Sequence, residues 1–112
     1  MALIGFTQND TIYTEAGVIL VGEIKSLNRN VLTLDADYAD SDFKIKWDEV
    51  VGVSSNSLLK IYTKKGARYN GYLAYSDSSE RIISVQSVPN NGAIELSDIV
   101  EISPLYENFS RE

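Results

Sequence analysis

Two stretches decide the reading: Ile12-Tyr-Thr-Glu-Ala-Gly17 and Ile61-Tyr-Thr-Lys-Lys-Gly66, which lie 49 positions apart. The same offset carries Gly22 onto Gly71 and Ile24 onto Leu73. It also carries Ile45-Lys-Trp-Asp-Glu-Val-Val-Gly-Val53 onto Ile94-Glu-Leu-Ser-Asp-Ile-Val-Glu-Ile102. Only the middle slips. Val31-Leu-Thr-Leu34 matches Ile82-Ile-Ser-Val85 at an offset of 51, which places a length change in the surrounding loops. Three blocks in order make an internal duplication.

Each unit reads as strands. Leu20, Gly22 and Ile24 alternate with Val21, Glu23 and Lys25; Phe43, Ile45 and Trp47 alternate with Lys44 and Lys46. That is the period of two of a strand with one buried face. Turn residues separate the runs at Ala16-Gly17, Asn28-Arg-Asn30, Ala39-Asp-Ser-Asp42, Lys65-Gly66, Asp77-Ser-Ser79 and Pro89-Asn-Asn-Gly92. A short helical turn is expected at Asp48-Glu49 and at Ser97-Asp98, each opened by a capping-type residue before a last strand. Gly17 and Gly66 sit where a hairpin turn needs positive φ. Gly22 and Gly71 are expected at a bulge or sharp bend. Such a bend lets a sheet of four or five strands close on itself.

The expected fold is all-β: two tandem SH3-like or Sm-like barrels, residues 10–57 and 58–109, packed together. The alternative is one β-sandwich shared by both units. Ser54-Ser-Asn-Ser57 is too short to let the units tumble freely, so a fixed interface is expected. Met1-Ala-Leu-Ile-Gly-Phe6 reads equally as the tail of a signal peptide or as a first strand.

Composition excludes several chemistries. The 112 residues include no His and no Cys. Ser-His-Asp and Cys-His mechanisms and thiolate zinc sites are therefore ruled out. No catalytic constellation is evident, and no enzyme activity or cofactor is expected. The net charge of −6 argues against nucleic-acid binding. Residues 1–57 carry nine acids and four bases, a balance of −5; residues 58–112 carry seven acids and six bases, a balance of −1.

Three groups are candidate sites. Asp35, Asp37, Asp40 and Asp42 place four carboxylates within eight residues, a weak match to a hard-cation loop without EF-hand spacing. The ordinary reading is a solvated loop. Lys60, Lys64, Lys65 and Arg68 gather around the second hairpin turn, where they suit an anionic partner or protect an exposed edge strand. Tyr72 takes the outward place that Glu23 holds in the first unit, which suggests packing against the other unit or against a partner. Tyr13 and Tyr62 are equivalent and are expected at the seam, and Trp47 in the core.

The motifs Asp10-Thr-Ile-Tyr…Gly17…Leu-Val-Gly-Glu-Ile-Lys-Ser-Leu27…Val-Leu-Thr-Leu34…Phe-Lys-Ile-Lys-Trp-Asp-Glu-Val50 resemble a known family. It is the soluble N-terminal region of the YdiY-like, salt-induced bacterial outer-membrane proteins, of unknown function. Leu59-Lys-Ile-Tyr…Tyr-Asn-Gly-Tyr-Leu73…Ile-Glu-Leu-Ser-Asp-Ile-Val100 fits the same pattern, and Ile-Ser-Pro-Leu-Tyr-Glu-Asn-Phe109 resembles the approach to the barrel. The resemblance implies export and a place on the periplasmic side of the outer membrane. It also implies a non-catalytic accessory or interaction role, with the chain's own C-terminal barrel or another protein as partner. The barrel itself is missing from this sequence. The alternative is a cytoplasmic Sm-like module that binds RNA or a protein. Edge strands also leave room for a homo-oligomer.

Overall fold

In a computed structural model, residues 10–36, 38–75, 82–87 and 92–105 are described; for 82–87 and 92 the backbone alone is described. The chain is all-β. The first half holds β1 (Asp10–Thr14), β2 (Ile19–Asn28), β3 (Val31–Asp35), β4 (Phe43–Lys46) and β5 (Val50–Ser54). The second holds β6 (Leu59–Thr63), β7 (Arg68–Tyr75), β8 (Ile82–Ser87), β9 (Gly92–Glu95) and β10 (Ile99–Pro104). Single 3₁₀ turns, Trp47–Glu49 and Leu96–Asp98, precede β5 and β10. No side chain caps either turn; Val50 N–H and Ile99 N–H donate to the carbonyls of Trp47 and Leu96. The helical turns are thus where the sequence places them, but the backbone closes them. Among the described residues no helix is long and apolar enough to cross a membrane.

All pairings are antiparallel. The first half runs β5-β1-β2-β3-β4 and the second β10-β6-β7-β8-β9, the same order. The likeness reaches single bonds. Glu15 N–H donates to the Glu49 carbonyl at 2.8 Å, and Lys64 N–H to that of Asp98 at 2.8 Å. Thr14 N–H reaches Val18 O at 3.1 Å, and Thr63 N–H reaches Ala67 O at 3.0 Å. Gly17 and Gly66 close these hairpins at φ 88° and 86°, a conformation that costs a side chain steric strain.

The halves meet reciprocally. β10 pairs with β2 at Ile102 and Leu27. β5 lies against β7: Ser55 N–H donates to the Leu73 carbonyl, and Leu73 N–H donates to Ser55 Oγ, both at 2.9 Å. β10 is the counterpart of β5, and β7 of β2. Each half therefore offers the same two elements to the other, the arrangement of an isologous contact. The interior is continuous. Ile12, Ile24, Leu27 and Leu34 join Leu59, Ile61, Leu73, Leu96, Ile99 and Ile102 in one buried cluster. Among the described residues, strand pairing thus stays within the halves apart from one bridge, while the core is common. The linker is hydrogen-bonded to both halves, Ser55 N–H to the Leu73 carbonyl and Asn56 and Ser57 N–H to Asp10 Oδ1.

Gly22 stands where β2 passes from its pairing with β1, Asp10 across from Gly22, to its pairing with β3, Glu23 across from Asp35. It has no positive φ. The irregularity in the β2–β3 ladder lies between Ile24 and Ser26. Its glycine answers to a crossing chain: a Cβ there would stand 2.5 Å from the Asp35 carbonyl oxygen and 3.0 Å from Ala36 Cα. Gly71, its counterpart, is likewise buried and lies across from Leu59.

The β2–β3 turn is a two-residue loop with Arg29 at φ 54° and Asn30 at φ 65°. Asn tolerates this region; Arg does so at a cost. Arg29→Gly is expected to raise stability by about 0.5–1 kcal/mol, the relief of strain less the entropy of glycine. Chemical denaturation with an unchanged m-value checks it, and a loss of stability would contradict the assigned turn.

Candidate interaction surface

The seam is built first, because it decides which side chains remain free. Asp10 opens β1 and is fully buried. Its Oδ1 accepts from Asn56 N–H at 2.9 Å, Ser57 N–H at 3.3 Å and Ser57 Oγ at 3.0 Å. Its Oδ2 accepts from Ile24 N–H at 2.9 Å and Ser57 Oγ at 3.1 Å. One carboxylate thus ties the linker between the halves to β2. Trp47 is 3% exposed and donates its indole N–H to the Leu96 carbonyl at 2.7 Å. Trp47 and Leu96 each open a 3₁₀ turn before the last strand of their half, so this bond joins the two halves at corresponding places.

The aromatic contact across the seam is Tyr13 on Tyr75, ring centroids 4.2 Å apart and 18° from parallel. The Tyr75 ring covers Gly52, where a Cβ would overlap it. This corrects two expectations. Tyr62, the counterpart of Tyr13, sits on the outer face instead of facing Tyr13. Tyr72 is 41% exposed and is not the seam residue. The counterpart of Tyr75 is Ser26, so the stack has no mirror image.

The outer face of the second half gathers part of the expected partner surface. Lys60 lies across from Asn70 and Ser103, and Tyr62 across from Arg68 and Glu101. Alternation puts Lys60, Tyr62, Arg68, Asn70 and Tyr72 on one side, opposite the buried Leu59, Ile61 and Leu73. Lys64 and Lys65 go elsewhere. Lys64 lines a cleft of about 310 Å³ between the halves, with Trp47, Asp48, Ser97 and Val100. Lys65 lines another of about 280 Å³ with Tyr69, Glu95 and Asp98. Among the described residues the one ion pair is Lys25 Nζ to Asp42 Oδ2 at 3.6 Å. None of Lys60, Lys64, Lys65 and Arg68 is paired with a described carboxylate.

That ion pair engages one carboxylate of the acidic loop. Asp35 and Asp40 are exposed, and Asp37 lies outside the described residues, as do Met1–Phe6, Asp77–Ser79 and 106–109. Among the described residues no group of three potential ligands stands close enough to hold a metal ion.

Sequence reading missed an apolar surface on the first half. Val18 is 51%, Ile19 58%, Val21 37% and Tyr38 65% exposed. Val21 N–H donates to the Tyr38 hydroxyl at 3.3 Å, and the Tyr38 ring tilts against Phe43 at 6.1 Å and 50°. The signal was present: Ile19 and Val21 share the outward phase of a strand whose inward phase is Leu20, Gly22 and Ile24. With this geometry in hand, comparison with protein-family models, with curated proteins and with solved structures returns no match.

Proposed function

We propose that the chain is a non-catalytic interaction domain acting on the periplasmic side of an outer-membrane β-barrel protein. The observation that carries the interaction role is the outer face of the second half. There Lys60 and Arg68 stand beside Tyr62 and the exposed Tyr72 in a protein of net charge −6. Aromatic rings beside cations are the usual anchors of a protein interface. The chain carries no His and no Cys, so imidazole bases and thiolate nucleophiles are missing, which supports a non-catalytic role. The location rests on the sequence resemblance.

Photo-cross-linking from position 72 in cells, with fractionation, tests the reading. A discrete cross-linked protein partner in the envelope fraction is expected. The double variant Lys60→Glu/Arg68→Glu should weaken that cross-link about tenfold or more while leaving the melting temperature within a few degrees, since like charges at an interface cost several kcal/mol. An unchanged cross-link would remove this face from the interaction. Recovery of the protein in the cytosol would remove the location.

A further inference from the structure

We propose that the N-terminal part of β2, Ile19–Val21, is an open strand edge that receives an extended segment of a basic partner protein by strand addition. The inference rests on the interaction role above but uses a different surface. On one side β2 is paired with β1, Ile12 with Leu20 and Asp10 with Gly22. On the other side β3 joins only from Glu23 and Asp35 onward. The chain then passes over Gly22 at Asp35–Ala36, and no described strand pairs with β2 on this side before Glu23. Leu20 and Gly22 direct their backbone groups toward β1, in phase with Ile24, whose N–H reaches Asp10. Ile19 and Val21 therefore direct theirs outward.

Their only described partner there is the Tyr38 hydroxyl, long at 3.3 Å from Val21 N and carried by an exposed ring. A partner strand can displace it. Natural sheets guard such edges with charge, Lys or Pro. The second half does so, with Lys65, Arg68 and Asn70 at the corresponding positions. The first half has Ala16-Gly-Val-Ile-Leu-Val-Gly22, seven residues without a charge or a proline. The duplication thus keeps edge protection in one copy and lacks it in the other.

Charge names the occupant. Glu23, Asp35 and Asp40 are exposed around the edge, and Glu15 lies in the adjoining turn. The first half carries nine acids against four bases. An added strand must present apolar side chains at alternate positions, to lie beside Ile19 and Val21, and Lys or Arg at its ends.

The test uses the intact chain and a synthetic peptide, acetyl-Lys-Val-Thr-Val-Thr-Val-Lys-amide, with a twin carrying Glu at both ends. Binding is followed by amide chemical shifts. The Lys peptide is expected to shift Ile19 and Val21, to weaken with added salt, and to bind far better than the Glu twin. Tyr38→Phe removes the competing hydroxyl and should tighten binding about three- to tenfold, the worth of one net hydrogen bond. Ile19→Lys should abolish it while the fold persists.

Equal or weaker binding by Tyr38→Phe overturns the proposal, as does equal binding of the Glu twin. Shifts confined to the Lys60–Tyr72 face also overturn it and leave the proposed function standing. A doubled solution mass abolished by Ile19→Lys, with no peptide binding, assigns the edge to a second copy and overturns it too. A failed cross-link from position 72 with intact peptide binding separates the two readings in the other direction.

Discussion

Trp47→Ala is expected to lower the unfolding free energy by about 3–5 kcal/mol, the range for truncating a large buried aromatic. That is enough to move the melting midpoint of a domain this size by roughly 10 °C or more. The ring is 3% exposed within the common core. Its loss removes apolar contact from both halves at once, and the cavity cannot collapse without shifting the 3₁₀ turns on either side. The indole N–H also supplies a 2.7 Å bond to the Leu96 carbonyl. Trp47→Phe separates the two contributions: it keeps most of the apolar surface, loses that bond, and should cost about 1–2 kcal/mol. Denaturant titration of both variants with constant m-values is the check. A loss below about 2 kcal/mol for Trp47→Ala would mean that the seam is not a shared core.

The second large effect belongs to Asp10. Asp10→Ala strands the buried N–H of Ile24 and the part-buried N–H groups of Asn56 and Ser57 with the Ser57 hydroxyl, around a carboxylate that itself has no solvent exposure. Removing one member of a buried charged network costs about 3–5 kcal/mol, since the remaining donors keep their desolvation penalty. Asp10→Asn should fall between, because its amide turns a donor toward donors. Hydrogen exchange supplies a readout beyond stability. Protection should drop first at Ile24, Asn56 and Ser57, as the linker leaves β2 before the sheets open. Uniform loss of protection across both halves would show that the carboxylate adds to the core without holding the linker.

These two residues differ in how far they could be read from sequence. Trp47 was legible as core because it ends an alternating run, Phe43-Lys-Ile-Lys-Trp47. Asp10 was not. An acid at the start of a strand looks like any surface acid, and its burial depends on a linker 46 and 47 positions away. The tyrosines show the same limit. Alternation distinguishes Tyr72 from Tyr69 and Tyr75, and the exposure of Tyr72 agrees with it. It does not say that Tyr75 crosses to Tyr13, since that stack needs the close approach allowed by Gly52. The four cations read as one cluster because they are near in sequence. Strand phase and the hairpin separate them into an outer face and two clefts.

The sequence alone determined the strands, the positive-φ glycines at 17 and 66, and the turns before the last strands. All of these rest on interactions within a few residues, where period, turn chemistry and backbone sterics act directly. Only the tertiary structure decided how the halves clasp one another, which tyrosine covers the seam, and which part of β2 has no second strand beside it among the described residues. Those outcomes depend on surfaces brought together from opposite ends of the chain. Side-chain contacts at Gly52, Trp47 and Asp10 join those surfaces.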